Sequence, residues 1–449
     1  MCGIAAVLNG SMSELVTMGE KINHRGVHNS IFEIDNLKVY FSWLPITDPK
    51  AKAQPFKSGK HYVWLNGFIS NYKELGAKYS IPMDSDCDTE LLARFIDKFN
   101  LTKLDELNGS FAVLVWHYGE LTIFTDRYGI KQLYRYQSGN KVLIASEIMA
   151  IKAVVNLSKN DVGINDWKHS LGVMYDGTIY SGIKRVKKLP FTIPEKIEIE
   201  YNQAKERLKE LWDQSIRRNK SDSISDCVFL SGGIDSGMIA KYIDADYSFS
   251  VDYTDENYSE IENIKLLSSG LHYSIICNQE LFDKYADISA SCIDDPKVGS
   301  CYTNYALTEL AAKFATIIYS GAGGDEFFGG YPHRLFRAIN EVIQRTDEEG
   351  QNYDINHFEY DLRFLSGVLI VEDRMAGNFA METRYPLLDN DLVDFALSLP
   401  DEYLVGKRIL KDISGLPDKV LNSPKKGFSN PHCTNKEWIE IVLKQLDNE

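Results

Sequence analysis

Cys2 and Gly3 follow the first methionine and lead into the apolar run Ile4 to Leu8. A small residue after methionine favours its removal, which would leave a thiol and a free α-amine on one carbon. Such an amine has an ordinary pKa of about 7.7–8.0 and can take a proton near neutrality. A thiol with its own base is an activated nucleophile. The same residues also read as a plain first strand, so this stretch by itself leaves both readings open.

A second set of residues suits phosphate chemistry. Residues 227–240 read CVFLSGGIDSGMIA: a short apolar run, then Ser231-Gly232-Gly233, then Asp235-Ser236, then a helical pattern. In an open parallel sheet, ligands bind beyond the carboxyl ends of the strands. Two glycines let the backbone approach an anion, and the free amides of a helix start point toward it. Ser231 and Ser236 add hydroxyl donors. The loop lacks the Gly-Lys-Ser/Thr ending of a Walker loop. It matches instead the pyrophosphate loop of enzymes that split ATP into AMP and pyrophosphate. A second glycine loop, SGAGGDEFFGGY, places Ser320 and Gly321 where backbone could touch a nucleotide. Its Asp325 and Glu326 would repel a polyphosphate unless Mg²⁺ bridged them. Near the end of the chain, SPKKGF supplies Lys425 and Lys426. A lysine there could neutralise the charge growing on departing pyrophosphate.

The two sets combine into one reaction. A carboxylate is anionic and does not accept an amine. Its attack on the α-phosphate of ATP gives an acyl-adenylate, from which AMP leaves readily. Ammonia at neutral pH is mostly ammonium, so a thiol that frees it from glutamine supplies the nucleophile unprotonated.

The elements that must position these residues fall into two styles. LKVYFSWL, YVWLNGFI, SFAVLVWHY and LTIFTD are short β-branched and aromatic runs in the first third. One helix interrupts them: DTELLARFIDKF places Leu91, Leu92, Phe95, Ile96 and Phe99 on one face. That pattern predicts an α+β domain of stacked antiparallel sheets with helices outside. From Asn202 helix and strand alternate through NQAKERLKELWDQSIRR, DCVFL, DSGMIAKYI, YSFSVDY, SEIENIKLLSSGL and ATIIYSGAGGDE. That rhythm predicts an α/β domain with a parallel sheet. The domains are expected at 1–155 and 202–449, with a connector at 156–201. The acidic stretch TDEEGQNYD reads as a solvated loop.

The chain has 449 residues, about right for two or three domains. Its hydrophobic content of 44% suits packed cores. A net charge of -15 argues against a nucleic-acid partner. Seven cysteines with no C-x-x-C pair indicate neither a disulfide framework nor a zinc site, and fit a reducing cytoplasm. The first residues lack a basic and apolar leader, and no run approaches the ~20 apolar residues of a membrane span. His24 and His28, four apart, could be read as metal ligands. Gly26 between them favours a mobile loop over the nucleophile.

These motifs carry a resemblance. MCGIA, HRG, AQPF, LNG, SDCDTE, LNGSFA, TDRYGIKQLY and ASEI, in order, resemble a class II glutaminase domain. SGGIDSG, SVDY, SGAGGDEFFGGY, EDRMAGNFAMETRYPLLD and PKKGF resemble an ATP-pyrophosphatase synthetase domain. Over nearly its whole length the chain looks like an asparagine synthetase-type amidotransferase. The resemblance implies a four-layer αββα sandwich, then a parallel sheet of the adenine-nucleotide α-hydrolase kind. It implies Cys2 as nucleophile, Asn66 and Gly67 as oxyanion hole, and Ile46 and Asp86 as further glutamine contacts. Asn-Gly is also a hairpin signal. Phe229, Ser231, Gly232, Gly233, Asp235, Ser236, Val251, Ser320 and Gly321 fall on ATP contacts. Asp235 and Asp325 fall on Mg²⁺ ligands, and Lys425 on the catalytic lysine. Glutamine, ATP, Mg²⁺ and a carboxylate acceptor, by default aspartate, are the implied ligands, in a cytoplasmic enzyme compatible with a homodimer.

Four departures from the family pattern stand out. Trp43 replaces an arginine that clamps the glutamine carboxylate, and tryptophan cannot do this. Phe68 replaces a glutamate after Asn66-Gly67. Val27-His28 replace Pro-Asp after Arg25-Gly26. Ala322 replaces a glutamate linked to the aspartyl-adenylate. Other readings therefore stand beside asparagine formation: another acceptor such as a sugar acid or natural-product intermediate, an ammonia- or internal-amine-dependent ligase with impaired glutaminase, or a non-catalytic nucleotide-binding regulator.

Overall fold

Alternation along one strand, His61–Ile69, sets the architecture of the first unit. Val63 and Leu65 pack toward helices, whereas Trp64 packs toward a second sheet. In the computed structural model the chain forms two units: residues 1–166, 175–191 and 376–382, and residues 167–174, 192–375 and 383–449. The structure describes residues 2–48, 50, 53–161, 164, 178–221, 225–293, 301–331, 342–346, 352–424, 426, 437–438, 440–441 and 443–444, with backbone alone at 342–346 and 352–357.

The first unit stacks two sheets. One holds β1 (Gly3–Leu8), β2 (His28–Ile34), β3 (Leu37–Trp43), β8 (Tyr134–Ser138), β9 (Lys141–Ala145) and β10 (Ile183–Arg185), in the order β10-β8-β9-β1-β3-β2. The other runs β4 (Phe56–Ser58), β5 (His61–Ile69), β6 (Gly109–His117), β7 (Glu120–Thr125). Every registered pairing in both sheets is antiparallel. Between the sheets lies a core of Ile4, Ala6, Val39, Phe41, Trp64, Ala112 and Leu114, among others. Helices α1 (Met12–Lys21) and α4 (Ile148–Lys152) cover the first sheet, and α2 (Tyr72–Lys78) and α3 (Asp88–Phe99) the second. The outer core under α2 and α3 is built from Leu75, Leu91, Leu92, Phe95 and Ile96 with the facing β5 and β6 side chains. This is the expected αββα sandwich.

β10 comes from the stretch read as a connector. It pairs with β8 through Ile183↔Tyr136. Its triplet IKR is too short to announce a strand by periodicity.

The second unit is α/β. Its sheet has the order β13-β12-β11-β14-β17, from β11 (Asp226–Phe229), β12 (Tyr247–Tyr253), β13 (Leu271–Cys277), β14 (Ile317–Tyr319) and β17 (Glu382–Arg384). The β11–β12, β11–β14 and β12–β13 pairings are parallel. Helices α5 (Tyr201–Asn219), α6 (Ile234–Ile243), α7 (Ile261–Leu267), α8 (Gln279–Ser291) and α9 (Cys301–Ala311) alternate with the strands as expected. The helix read across SEIENIKLLSSGL stops at Leu267, and LHYSIIC is the strand β13. The acidic stretch 346–354 is not simply a loop. Thr346 ends β15 (Val342–Thr346), and Asn352–Asp354 belong to β16 (Asn352–Asn356), its antiparallel partner. Residues 347–351 lie outside the described residues. Among the described residues no helix is long and apolar enough to cross a membrane.

Candidate active sites

Cys2 stands at the head of β1, half-buried, and packs against the inter-sheet core. Its carbonyl accepts a hydrogen bond from Arg25 Nε at 2.9 Å. Arg25 is 1% exposed, and its Nη1 donates to Glu147 Oε1 at 2.8 Å. A guanidinium so buried stays only where carboxylate and carbonyl meet its donors. The backbone before the thiol is therefore tied to a buried ion pair. Burial pushes the Cys2 thiol above its ordinary pKa, while a backbone hydrogen bond at Leu44 and the charge of Lys131 pull the other way. His24, beside Arg25, lies 3.2 Å from Glu147 through Nε2. Residues Asn23–Arg25 form a 3₁₀ turn.

Asn66 lies on β5 opposite Ala112 of β6, on the inter-sheet side. It is fully buried, and neither its Nδ2 nor its Oδ1 has a hydrogen-bond partner. A buried amide left so costs about 1–3 kcal/mol. The strand beneath it is braced from the side. The Gln54 amide exchanges two bonds with the backbone of Leu65, at 2.6 and 3.2 Å, much as a neighbouring strand would. Gly67 has φ +128, and a Cβ there would collide with the Ser110 carbonyl, so only glycine fits. Its conformation also breaks the alternation of β5. Phe68 turns into the core under α2 and α3, away from the inter-sheet side, with its ring 6.5 Å from Tyr72. Trp43 packs against the inter-sheet core, its ring 4.9 Å from His28. Ile46 is buried. Asp86 is 69% exposed on its side chain, with Lys73 Nζ 3.6 Å and Tyr72 Oη 3.4 Å from Oδ1. Nothing in these contacts brings Asp86 to Cys2.

The motif TDRYGIKQLY has a structural use that the sequence did not disclose. Asp126 is buried and accepts the amides of Phe111, Tyr128, Ile130 and Lys131 at 3.0–3.1 Å. It ties β6 to the turn after β7.

In the second unit, β11 ends at Phe229 and the chain turns through Ser231-Gly232-Gly233 into α6, as the sequence predicts. Gly232 has φ +85, and Gly233 caps α6. Ser236 Oγ accepts the Ser231 amide at 3.1 Å and lies 3.0 Å from Ser231 Oγ, so the loop is fixed from within. Val251 lies within the adjacent β12. The loop after β14 packs against this one: a Cβ on Gly321 would sit 3.1 Å from Asp235 Cβ and from the Ser236 amide nitrogen. Ser320 Oγ donates to Glu372 Oε1 at 3.0 Å and accepts the Ala322 amide at 3.3 Å. Burial pushes the Glu372 carboxyl up to about 7, against the Ser320 and Tyr385 hydroxyls.

The expected carboxylates come together. Asp235 and Asp325 both bind the ammonium of Lys407, which lies 2.7 Å from Asp325 Oδ1. Burial draws the Lys407 pKa down, but the two carboxylates outweigh it and hold the lysine charged. Two carboxylates are the hard oxygen ligands that Mg²⁺ takes, and here the Lys407 ammonium occupies them. Among the described residues no group of three or more His, Cys, Asp or Glu forms a metal cluster. Glu326 instead accepts from Tyr331 Oη at 2.7 Å. Lys425 lies outside the described residues. Lys426 donates to the Glu256 and Ser259 carbonyls at 3.0 and 2.6 Å, a structural use.

Two family profiles span the chain: a glutamine amidotransferase domain over residues 1–207, and asparagine synthase over 207–354 and 354–449. The chain belongs to the asparagine synthetase family. It is a ligase of that type, with the family's use of ATP. A Methanocaldococcus jannaschii protein provisionally named asparagine synthetase (glutamine-hydrolysing) 2 is 29% identical over 75% of this chain and 76% of its own. Asparagine synthetase (glutamine-hydrolysing) 1 of Bacillus subtilis is 24% identical over 100% of this chain and 91% of its own. The Mesocricetus auratus enzyme of that name is 22% identical over 100% and 88%.

Lys407, Glu372, the Arg25–Glu147 pair and Gln54 are the site residues that sequence reasoning missed. HRG, ASEI, AQPF and EDRMAGNFAMETRYPLLD did contain four of them as motif members. Lys407 sits in VGKRIL, which carries no signal of its own.

Proposed function

We propose that this asparagine synthetase family member makes an amide from a carboxylate, ATP and the amide nitrogen of glutamine. Residues 1–155 release the nitrogen and residues 202–449 activate the acid. The Cys2 thiol, with the α-amine freed by removal of Met1 as base, adds to the glutamine carbonyl and forms a γ-glutamyl thioester as ammonia leaves. Water then returns the thiol and glutamate. The buried Asn66 amide and the Gly67 N–H take the developing oxyanion, worth roughly 10²–10³ in rate for one such donor. In the second unit the acceptor carboxylate attacks the α-phosphate of ATP, pyrophosphate departs, and ammonia displaces AMP from the acyl-adenylate. Ser231, Gly232, Gly233 and Ser236 present donors to the phosphates. Phe229, Val251, Ser320 and Gly321 border the adenosine, and Lys425 answers the pyrophosphate charge. Asp235 and Asp325 would hold Mg²⁺, which when bound neutralises phosphate charge.

One observation carries this reading: a single chain pairs a half-buried thiol at the head of β1 and an unsatisfied buried amide on the facing sheet with two glycine loops that gather carboxylates past parallel strands. Aspartate is the default acceptor, giving asparagine. Ala322 favours a second acid, because a side chain reaching no further than its own Cβ leaves the loop's acceptor side open. Trp43, committed to the core, supplies no clamp for the glutamine carboxylate and favours direct use of ammonia as the alternative nitrogen source.

A panel of carboxylic acids with ATP, Mg²⁺ and either glutamine or ammonium, read as pyrophosphate release, tests these readings. Release with aspartate supports the default. Silence with aspartate and release with another acid reassigns the acceptor. Release with ammonium alone reassigns the nitrogen source, and no release with any acid overturns the proposal.

A further inference from the structure

Lys407 stands in left-handed backbone at the N-cap of a short helix, next to Gly406, whose N–H donates to the Gly329 carbonyl at 3.1 Å. It adopts φ +60, directly after Gly406 at φ +64, at the start of α10 (Arg408–Ser414). A non-glycine residue in the left-handed region costs about 1 kcal/mol or more. Lys407 is 7% exposed all the same, with its ammonium on both Asp235 and Asp325. Two glycines make the space. A Cβ on Gly330 would strike both Lys407 Cε and Asp325 Oδ1, and a Cβ on Gly324 would strike the Asp235 carboxylate. Three separate segments thus converge on one ammonium and two carboxylates.

Two carboxylates this close repel each other unless a cation lies between them. An ammonium and a divalent ion can each meet that need, but not both at the same oxygens. We infer that Lys407 is a resident counter-ion in the divalent-metal site, and that it exchanges with the metal as nucleotide arrives. This rests on the reading of Asp235 and Asp325 as metal ligands. The exchange makes metal and nucleotide binding interdependent. Metal alone must displace the lysine into a region with no new anion. Metal with nucleotide brings phosphate oxygens that the freed ammonium can take as partners. Lys407 therefore keeps the empty site intact while suppressing binding of metal alone.

The test is a titration of Mn²⁺, followed by electron paramagnetic resonance, with and without a non-hydrolysable ATP analogue. For the wild type, the metal alone binds weakly and the analogue strengthens binding. For Lys407→Met, the metal alone binds at least about tenfold more tightly than to wild type, and Mg²⁺ raises its melting temperature more. Lys407→Arg keeps the charge and grips both carboxylates more firmly, so it weakens metal binding about fivefold even with the analogue. It carries the test if the methionine variant does not fold. Unchanged Mn²⁺ binding in the folded variants overturns the exchange while the metal site stands. No Mn²⁺ binding to wild type even with the analogue, or unchanged binding to Asp325→Asn, overturns the metal site itself.

Discussion

The thiol site and the carboxylate site solve opposite problems. In the first unit Arg25, bonded to the Cys2 carbonyl, meets Glu147, and what remains open is a neutral amide, Asn66, with no partner. An unsatisfied amide is affordable at about 1–3 kcal/mol. Around Asp235 and Asp325 the open groups are charged, and two half-buried carboxylates left together uncompensated would repel each other. That site fills itself with Lys407. The difference teaches that a neutral site can wait empty in its working geometry, whereas a charged one must hold a substitute that a ligand displaces.

The sharpest break of this comparison removes the thiol. Cys2→Ala is expected to lower glutamine-dependent amide formation by about 10³-fold or more while sparing synthesis from ammonium. Glutamate release and pyrophosphate release, measured side by side, check it. Equal loss with both nitrogen sources would mean that the first unit does not work independently.

Asn66→Ala separates function from stability. Glutamine hydrolysis should fall by roughly 10²-fold in kcat. The melting temperature should hold or rise, since an unsatisfied buried amide is gone. A marked fall in stability with little change in kcat would make Asn66 a structural residue.

The smallest effect concerns Glu372, whose folded-state pKa of about 7 lies above its ordinary 4.5. A raised pKa means that the native state holds the proton more tightly than the unfolded chain. The stabilisation is full below about 4.5 and is lost as pH rises through about 7. Glu372→Gln should flatten the wild-type decline between about pH 5 and 8, and be the more stable protein at pH 8 by no more than about 3 kcal/mol. Urea denaturation at several pH values measures this. Parallel pH profiles for the two proteins would refute it.

Legibility from sequence followed the range of the forces involved. The helix Asp88–Phe99 was readable to its ends, because its apolar spacing is a local signal. β5, β6 and β12 were readable from β-branched and aromatic runs. β13 was not, because LHYSIIC follows a helix after only Ser268-Ser269-Gly270 and exposes Leu271 and Ile276. Cys2, the Ser231–Ser236 loop and the Asp235–Asp325 pair were visible as motifs. The partners that hold them are distant in sequence. Arg25 meets Glu147 across 122 positions, and Lys407 meets Asp235 across 172. No local pattern reports such pairs. Asp86 and Phe68 show the converse. A motif match named one position and a mismatch the other, yet Asp86 is open to solvent and Phe68 turns away from the thiol's layer.

The most direct test of the account follows the nitrogen. Wild-type protein is incubated with ATP, Mg²⁺, aspartate and glutamine labelled with ¹⁵N in its amide, and the products are resolved by mass spectrometry. The account predicts ¹⁵N-labelled asparagine, with glutamate, AMP and pyrophosphate formed in equal amounts. ADP in place of AMP, or glutamate released with no label entering any amide, would contradict it.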